Sequence, residues 1–392
     1  MTDDLPPNPA LLPAGLHDLL PPEAETEAAT VHALMEAFAA HGYGRVKPPL
    51  LEFEDGLLAG AGNAMQDQAF RVMDPAAHRM MGLRADMTPQ VARIASTRMA
   101  GHPRPLRLSY AGQCLLARGL GLAADRQVAQ AGIELIGVDS PAADAEIIVL
   151  GAAALSVIGL DRVSFDLTLP PLAPTLLDEA GIIGPARRAL THALDRKDAA
   201  EVARHGGPIA RLLTDLLLVA GPAGPALDVL AAADLPPASA ALCARLRATV
   251  LAIQAQAPGL RLTLDPIEFR GFRYHTGICV TVFAPGRHEE LGRGGRYVSG
   301  DAEPATGLTL LPDALLRALP PLPERPRAYL PWGTPAGDAA ALRAGGFATI
   351  PALAECPDPA AEAMRLRCTH VLRDSAAVPL AHASHTAAHK ES

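Results

Sequence analysis

Lysine is nearly missing from this chain: Lys47, Lys197 and Lys390 are the only three in 392 residues, and arginine carries the rest of the positive charge. No dense basic block accompanies the formal net charge of −8. A nucleic-acid binder needs a cationic surface to neutralise phosphates, so no nucleic-acid partner is expected. No run of about 18 apolar residues is free of charges or Pro/Gly breaks, which argues against a membrane-spanning helix. The N-terminus opens on Asp3 and Asp4 rather than on a basic segment with an apolar core. A secretory leader is therefore not expected and a cytoplasmic location is. The five cysteines include no CxxC pair and read as reduced thiols. Cys114 and Cys279 fall in strand-like runs and read as core residues. The glycines near 60–62 and 119–121 form no GxGxxG between a strand and a helix, so no dinucleotide site is expected. His382, His385 and His389 share a helical spacing that could catch a metal, but the segment reads better as a polar tail. No metal and no cofactor are expected.

What is present is length and apolar content. At 392 residues and 49% hydrophobic, the chain is long enough for two or three domains with a core that needs no disulfides. Residues 22–41 read as an amphipathic helix, with Val31, Leu34, Met35 and Phe38 at helical spacing between Pro22 and Gly42. Residues 45–52 read as extended. Thr88-Pro89 reads as a helix entry with Thr88 as the cap. Strands are expected at 106–110, 128–137 and 163–167, and a long apolar helix from Ser140-Pro141 to Gly159. Residues 170–260 change to a Leu/Ala/Arg/Asp-rich helical pattern and read as an insertion. Strands resume at 261–264, 278–283 and around Leu291, and residues 305–319 read as a helix. The proline cluster at 320–326 reads as a linker, followed by a βαβαβ alternation.

These signals predict an α+β fold with a mostly antiparallel sheet flanked by helices. The expected organisation is a main domain over 1–320 with a helical insertion at about 170–260, a linker at 321–326, a small α/β appendage at 327–375 and a disordered tail at 376–392.

One set of residues could build an amino-acid pocket. A buried ammonium needs acceptors, preferably anionic. Asp86 and Thr88 stand at a helix entry, and Gln130 and Glu134 share a strand face across Gly132, where the glycine leaves room above the sheet. Glu134 lies in an apolar run (GIELIG), so a solvated position is disfavoured. Two plainer readings stay open: Asp86 supports the helix start, and Glu134 forms an internal salt bridge. Segments 269–277 (FRGFRYHTG) and 292–297 (GRGGRY) add an arginine, glycines and aromatic or imidazole groups.

Together these motifs resemble the histidyl-tRNA synthetase family over residues ~12–320. The family's LRPEGT is similar to residues 83–88, LRADMT. Its Gln-x-Gly-x-Glu matches Gln130 to Glu134, its RGLDYYTG resembles residues 270–277, and its GGRYDG resembles residues 294–299. Residues 42–52 resemble the first class II synthetase motif, with Pro49 at its hallmark proline. The resemblance implies a class II synthetase-like core and a histidine site made of Asp86, Thr88, Gln130, Glu134, Arg270, Tyr274 and His275. In that site Arg270 faces the carboxylate, while Tyr274 and His275 line the pocket. Two departures stand out. The catalytic arginine of the second motif (YIGPMFRHE in the family) is Leu116 here, and the following glutamate is Arg118. The nucleotide-binding arginine of the third motif (AVGFAMGLER) is Ala314. Neither leucine nor alanine can donate to phosphate, and one such donor is worth ~10²–10³ in rate.

A synthetase-like body with an amino-acid pocket but no ATP machinery resembles the regulatory subunits of ATP phosphoribosyltransferase. That resemblance implies no catalysis of its own and partnership with the short-form catalytic subunit in a hetero-octamer. It further implies homodimerisation through the core, histidine as ligand and feedback control of the first step of histidine biosynthesis. The alternatives are a histidine-binding regulator with another partner, or an active histidyl-tRNA synthetase.

Overall fold

In a computed structural model of the chain, the described residues are 11–58, 62, 66–119, 125–268, 275–300, 302–320 and 324–380. The first helix, Glu23–Ala40, buries Leu34, Met35 and Phe38 at the predicted spacing. The short strand β1 (Gly44–Arg45) follows. Next come β2 (Leu51–Phe53), β3 (Arg71–Asp74) and β4 (Arg79–Leu83), which form a small antiparallel sheet in the order β2-β4-β3. The helix Thr88–Thr97 packs Val91, Ala92 and Ala95 inward.

The remaining strands of the larger unit build one broad sheet. They are β5 (Leu106–Leu115), β6 (Gln127–Ile136), β7 (Ser164–Thr168), β8 (Gly221–Pro222), β9 (Arg261–Asp265), β10 (His275–Phe283), β11 (Glu290–Val298) and β12 (Pro304–Leu310). With β1 they lie in the order β1-β5-β6-β12-β11-β10-β7-β9-β8. Only β1·β5 and β7·β9 run parallel, so the sheet is mostly antiparallel, as the patterning predicts. One face packs on the helices Glu23–Ala40 and Pro141–Val157 and on the helices between Leu172 and Gln256, through a continuous core that includes Phe38, Ile133, Ile148, Phe165 and Val280. Ser140 caps the Pro141–Val157 helix by accepting from the Ala143 N–H at 3.2 Å.

The helix predicted over 305–319 is corrected. Residues 304–310 are β12, a central strand, and only Pro312–Ala318 is helical. Alternating Thr306, Leu308 and Leu310 against Ala305, Gly307 and Thr309 is a period-two pattern, and Pro312 sits at a helix start, where its missing N–H costs nothing.

The chain divides into two compact units at Pro320/Pro321. The second carries β13 (Arg327–Leu330), β14 (Ala348–Pro351), β15 (His370–Arg373) and β16 (Ala376–Pro379), in the order β14-β13-β15-β16. The first three are parallel, with the helices Ala336–Ala344 and Pro359–Arg365 as crossovers. The tail predicted from residue 376 is corrected at its start, because β16 pairs antiparallel with β15 from Ala376 to Pro379. A two-residue turn at Asp374 and Ser375, both at positive φ, makes that return possible. His382, His385 and His389 lie outside the described residues. Among the described residues, no helix is long and apolar enough to cross a membrane.

Candidate functional site

The sheet face opposite the main core carries the predicted pocket. Glu134 on β6 is 1% exposed. Its Oε1 accepts from the Thr88 hydroxyl at 3.0 Å and from the Tyr110 hydroxyl at 3.2 Å, and its Oε2 accepts from the Tyr297 hydroxyl at 2.8 Å. Tyr110 also meets Thr309 on β12 at 2.8 Å. Three segments thus donate to one carboxylate carried by a fourth, and its described partners are hydroxyls rather than a salt-bridging cation. Burial pushes the Glu134 carboxyl up to about 8, with the negative charge of Asp86 adding to the rise and the hydroxyl donors opposing it.

Thr88 is the first residue of its helix, not the cap preceding it. Its side chain is drawn to Glu134 and Tyr110 instead of to the helix N-terminus. Asp86 does support the helix start, accepting from the Thr88 N–H at 3.2 Å. Asp86 retains some exposed surface, yet burial of its carboxyl is the main cause of its raised pKa. Gln130 Oε1 accepts from the Met87 N–H at 3.0 Å and from the Cys114 thiol at 3.4 Å, tying β6 to the turn that presents Asp86. Asp86, Thr88, Gln130 and Glu134 are therefore brought together.

His275 opens β10 and pairs with Tyr297 of β11. Its ring lies over Gly295, where a Cβ would sit 2.9 Å from the His275 Cδ2. Burial first, and the nearby Arg293 charge second, push the His275 imidazole down to about 4, so it is neutral at neutral pH. Arg270 and Tyr274 lie outside the described residues.

The expectation that Gly132 leaves room for a ligand is corrected. A Cβ there would meet the Tyr110 ring and hydroxyl at 2.5 Å, so Tyr110 fills that space. Gly307 is tighter still, since a Cβ would lie 2.0 Å from Glu134 Oε2. Gly307→Ala is expected to displace the Glu134 carboxylate and to cost about 1–3 kcal/mol by overpacking. Thermal denaturation checks it, and an unchanged melting temperature refutes it.

Tyr110, Tyr297, Thr309 and Arg293 were not singled out as site residues from sequence. Tyr297 and Arg293 occupy alternate positions of GRGGRY, two and four residues apart from Gly295 and each other, which is the period-two signal that could have found them. At the positions where the resemblance replaces arginines, Leu116 is 2% exposed and Ala314 is 3% exposed. Ala314 packs into the main core, and Arg118 points to solvent.

Residues 15–315 match the Histidyl-tRNA synthetase family. The chain is 56% identical over 375 residues to the ATP phosphoribosyltransferase regulatory subunit of Gluconobacter oxydans (strain 621H), covering 95% of this chain and 98% of that one. It is 55% identical over 365 residues to the protein of the same name from Paramagnetospirillum magneticum, covering 93% and 96%. Among solved structures, an ATP phosphoribosyltransferase regulatory subunit/histidyl-tRNA synthetase from Bacillus halodurans superposes with a TM-score of 0.78 at 23% identity, covering 91% of this chain and 97% of that one. A histidyl-tRNA synthetase from Nostoc sp. PCC 7120 gives 0.77 at 17% identity, covering 93% and 91%. The structural likeness establishes a class II synthetase-like fold, and with the sequence identity it places this chain in the family of ATP phosphoribosyltransferase regulatory subunits.

Proposed function

We propose that the chain acts without catalysis of its own, as the partner that a short-form ATP phosphoribosyltransferase catalytic subunit needs for full activity and for inhibition by histidine. The observation that carries this reading is a contrast within one fold. Asp86, Thr88, Gln130 and Glu134 lie together, while Leu116 and Ala314 are buried apolar side chains at positions where the resemblance places arginines. Histidine is the ligand assigned to that pocket, with Asp86 and Gln130 on its ammonium side and Glu134 toward its imidazole. Histidine shifts activity only by the difference in its affinity for two arrangements of the complex, and a coupling of ~1–3 kcal/mol suffices.

The assembly proposed is a hetero-octamer in which this chain pairs with a second copy of itself. The small sheet supports that pairing. Leu51, Phe53 and Val72 share one of its faces by register, Met73 and Met80 lie on the other, and all five are exposed. An apolar face of this kind marks an interaction surface.

Mixing the chain with a short-form catalytic subunit tests the reading. Formation of phosphoribosyl-ATP from ATP and phosphoribosyl pyrophosphate is expected to rise several-fold on mixing, and to fall again with histidine. Histidine-dependent exchange of pyrophosphate into ATP by this chain alone would instead favour a synthetase.

A further inference from the structure

We infer that a cavity on the helix side of the sheet is a second ligand site, which takes a small molecule carrying one carboxylate on an apolar body. It lies apart from the pocket around Glu134 and does not depend on what that pocket binds.

The cavity has a volume of about 290 Å³ and lies between the helix Pro237–Gln256 and the adjoining ends of β10, β11 and β12. Small-molecule sites begin near ~300 Å³ and are mostly apolar, with a few placed polar groups. Leu169, Leu246 and Ile278 line this one and are buried. Val298, also in the lining, is 45% exposed, so the apolar wall reaches the surface. Strand alternation separates the cavity from the Glu134 pocket. Tyr297 donates to Glu134 on one face of β11, and Arg296 beside it projects from the other face. There the Arg296 stem crosses Gly277, where a Cβ would sit 3.1 Å from its Cβ and Cδ.

Charge identifies the ligand. Arg245 and Arg296 both line the cavity. Arg296 is held by the buried Asp144, and Arg245 comes within 3.6 Å of the same carboxylate. Two guanidiniums against one buried carboxylate leave a single positive charge to be met. Asp139 meets it: its Oδ1 accepts from Arg245 Nη2 and lies 3.2 Å from Arg296 Nη1. Asp139 differs from Asp144 in standing 57% exposed, in the turn between β6 and the Pro141–Val157 helix. Moving into water therefore costs it little. The anion that takes its place needs one negative charge. A carboxylate matches that count and the fork of a guanidinium, whereas a phosphate monoester, at ~−1.5 to −2, exceeds it. Asp139 supplies charge but no apolar body, so a ligand with both gains from the leucine wall what Asp139 does not.

Calorimetric titration of the full chain with 4-methylpentanoate, 4-methylpentanamide and acetate tests this. The first carries both features, the amide lacks the charge and acetate lacks the body. 4-Methylpentanoate is expected to bind ~10–100-fold more tightly than the amide, the worth of hydrogen bonds to a charged group, and more tightly than acetate. Asp139→Asn removes the competing charge at an exposed position and is expected to tighten 4-methylpentanoate several-fold. Arg245→Gln is expected to lose the preference for carboxylate over amide. Saturating L-histidine is expected not to displace the probe. Failure of both wild type and Asp139→Asn to bind 4-methylpentanoate overturns the inference. Equal binding of the amide or of acetate also overturns it, as does an Arg245→Gln variant that keeps the preference. Displacement by histidine overturns it too, because that result puts the probe in the Glu134 pocket. If Arg245→Gln does not fold, Asp139→Asn decides: tighter binding supports the site and unchanged binding overturns it.

Discussion

Asp144→Ala is expected to destabilise the larger unit by about 3–5 kcal/mol, the loss typical of a buried ion pair deprived of one partner. Asp144 is fully buried in the first turn of the Pro141–Val157 helix, and Arg296 on β11 is 4% exposed. Arg296 Nε donates to both Asp144 oxygens, at 3.0 and 3.1 Å, and its Nη2 lies 2.7 Å from Oδ1. Arg296 Nη2 also reaches the Ser140 carbonyl at 3.3 Å, and its Nη1 reaches the Val138 carbonyl at 3.1 Å and the more exposed Asp139 carboxylate at 3.2 Å, while Arg245 lies 3.6 Å from Asp144 Oδ2. Solvent does not screen this pair, so the discount that applies to surface ion pairs does not apply here. The pair also joins the helix to the strand that carries Arg293 and Tyr297, so its loss loosens the pocket floor. Urea unfolding followed by far-UV circular dichroism reads the effect as a shift in midpoint. The double variant Asp144→Leu with Arg296→Met removes both charges and is expected to recover most of the loss. A loss below about 1 kcal/mol in the single variant refutes the assignment.

Much of this architecture is legible in sequence because periodicity reports it directly. The helices starting at Glu23 and Pro141 and the strands β5, β6, β7, β9 and β10 come at the spacings that the apolar residues imply. β12 is not legible in the same way. Its period-two alternation is short and runs straight into a real helix, so the pattern alone does not separate the two states. What settles it is long-range: β12 lies between β6 and β11, a fact carried by no local signal. The β3–β4 hairpin escapes for a related reason. Met73, Met80 and Met81 have no strong strand preference, and the register is imposed by pairing.

The candidate site shows the same division. Asp86, Thr88, Gln130 and Glu134 are visible because the chemistry of ammonium recognition asks for acceptors at those spacings. Tyr110 and Thr309 are not, because each reaches Glu134's network from a different strand, 24 and 175 residues away in the chain, and only the folded sheet makes them neighbours. The misreading of Gly132 has the same origin. Sequence shows that a side chain is missing there, while only the fold shows that the Tyr110 ring fills the gap.

Glu134→Gln is expected to abolish the fall in stability with rising pH that this site imposes. Burial holds the Glu134 carboxyl up at about 8 in the folded chain, against 4.5 for an ordinary glutamate. Between those values the folded state binds more protons than the unfolded one. Stability therefore falls as pH rises through that window, by about 1.4 kcal/mol per pH unit, and stops falling above pH 8. Glutamine keeps the shape and one carbonyl acceptor but has no proton to lose. Wild type and variant are thus expected to be similar near pH 5, while the variant is more stable by about 3 kcal/mol at pH 8. Urea midpoints at the two pH values measure this, and parallel curves for the two proteins refute it. A ligand that offers an N–H to the ionised carboxylate lowers its pKa, as the Tyr297 and Thr88 hydroxyls already do in part. Saturating histidine should then shrink the gap at pH 8 by stabilising the wild type and not the variant. A carboxylate that weakens the empty fold at neutral pH is the kind of local cost that a binding site imposes, and its relief by ligand is what separates a working pocket from an inherited remnant.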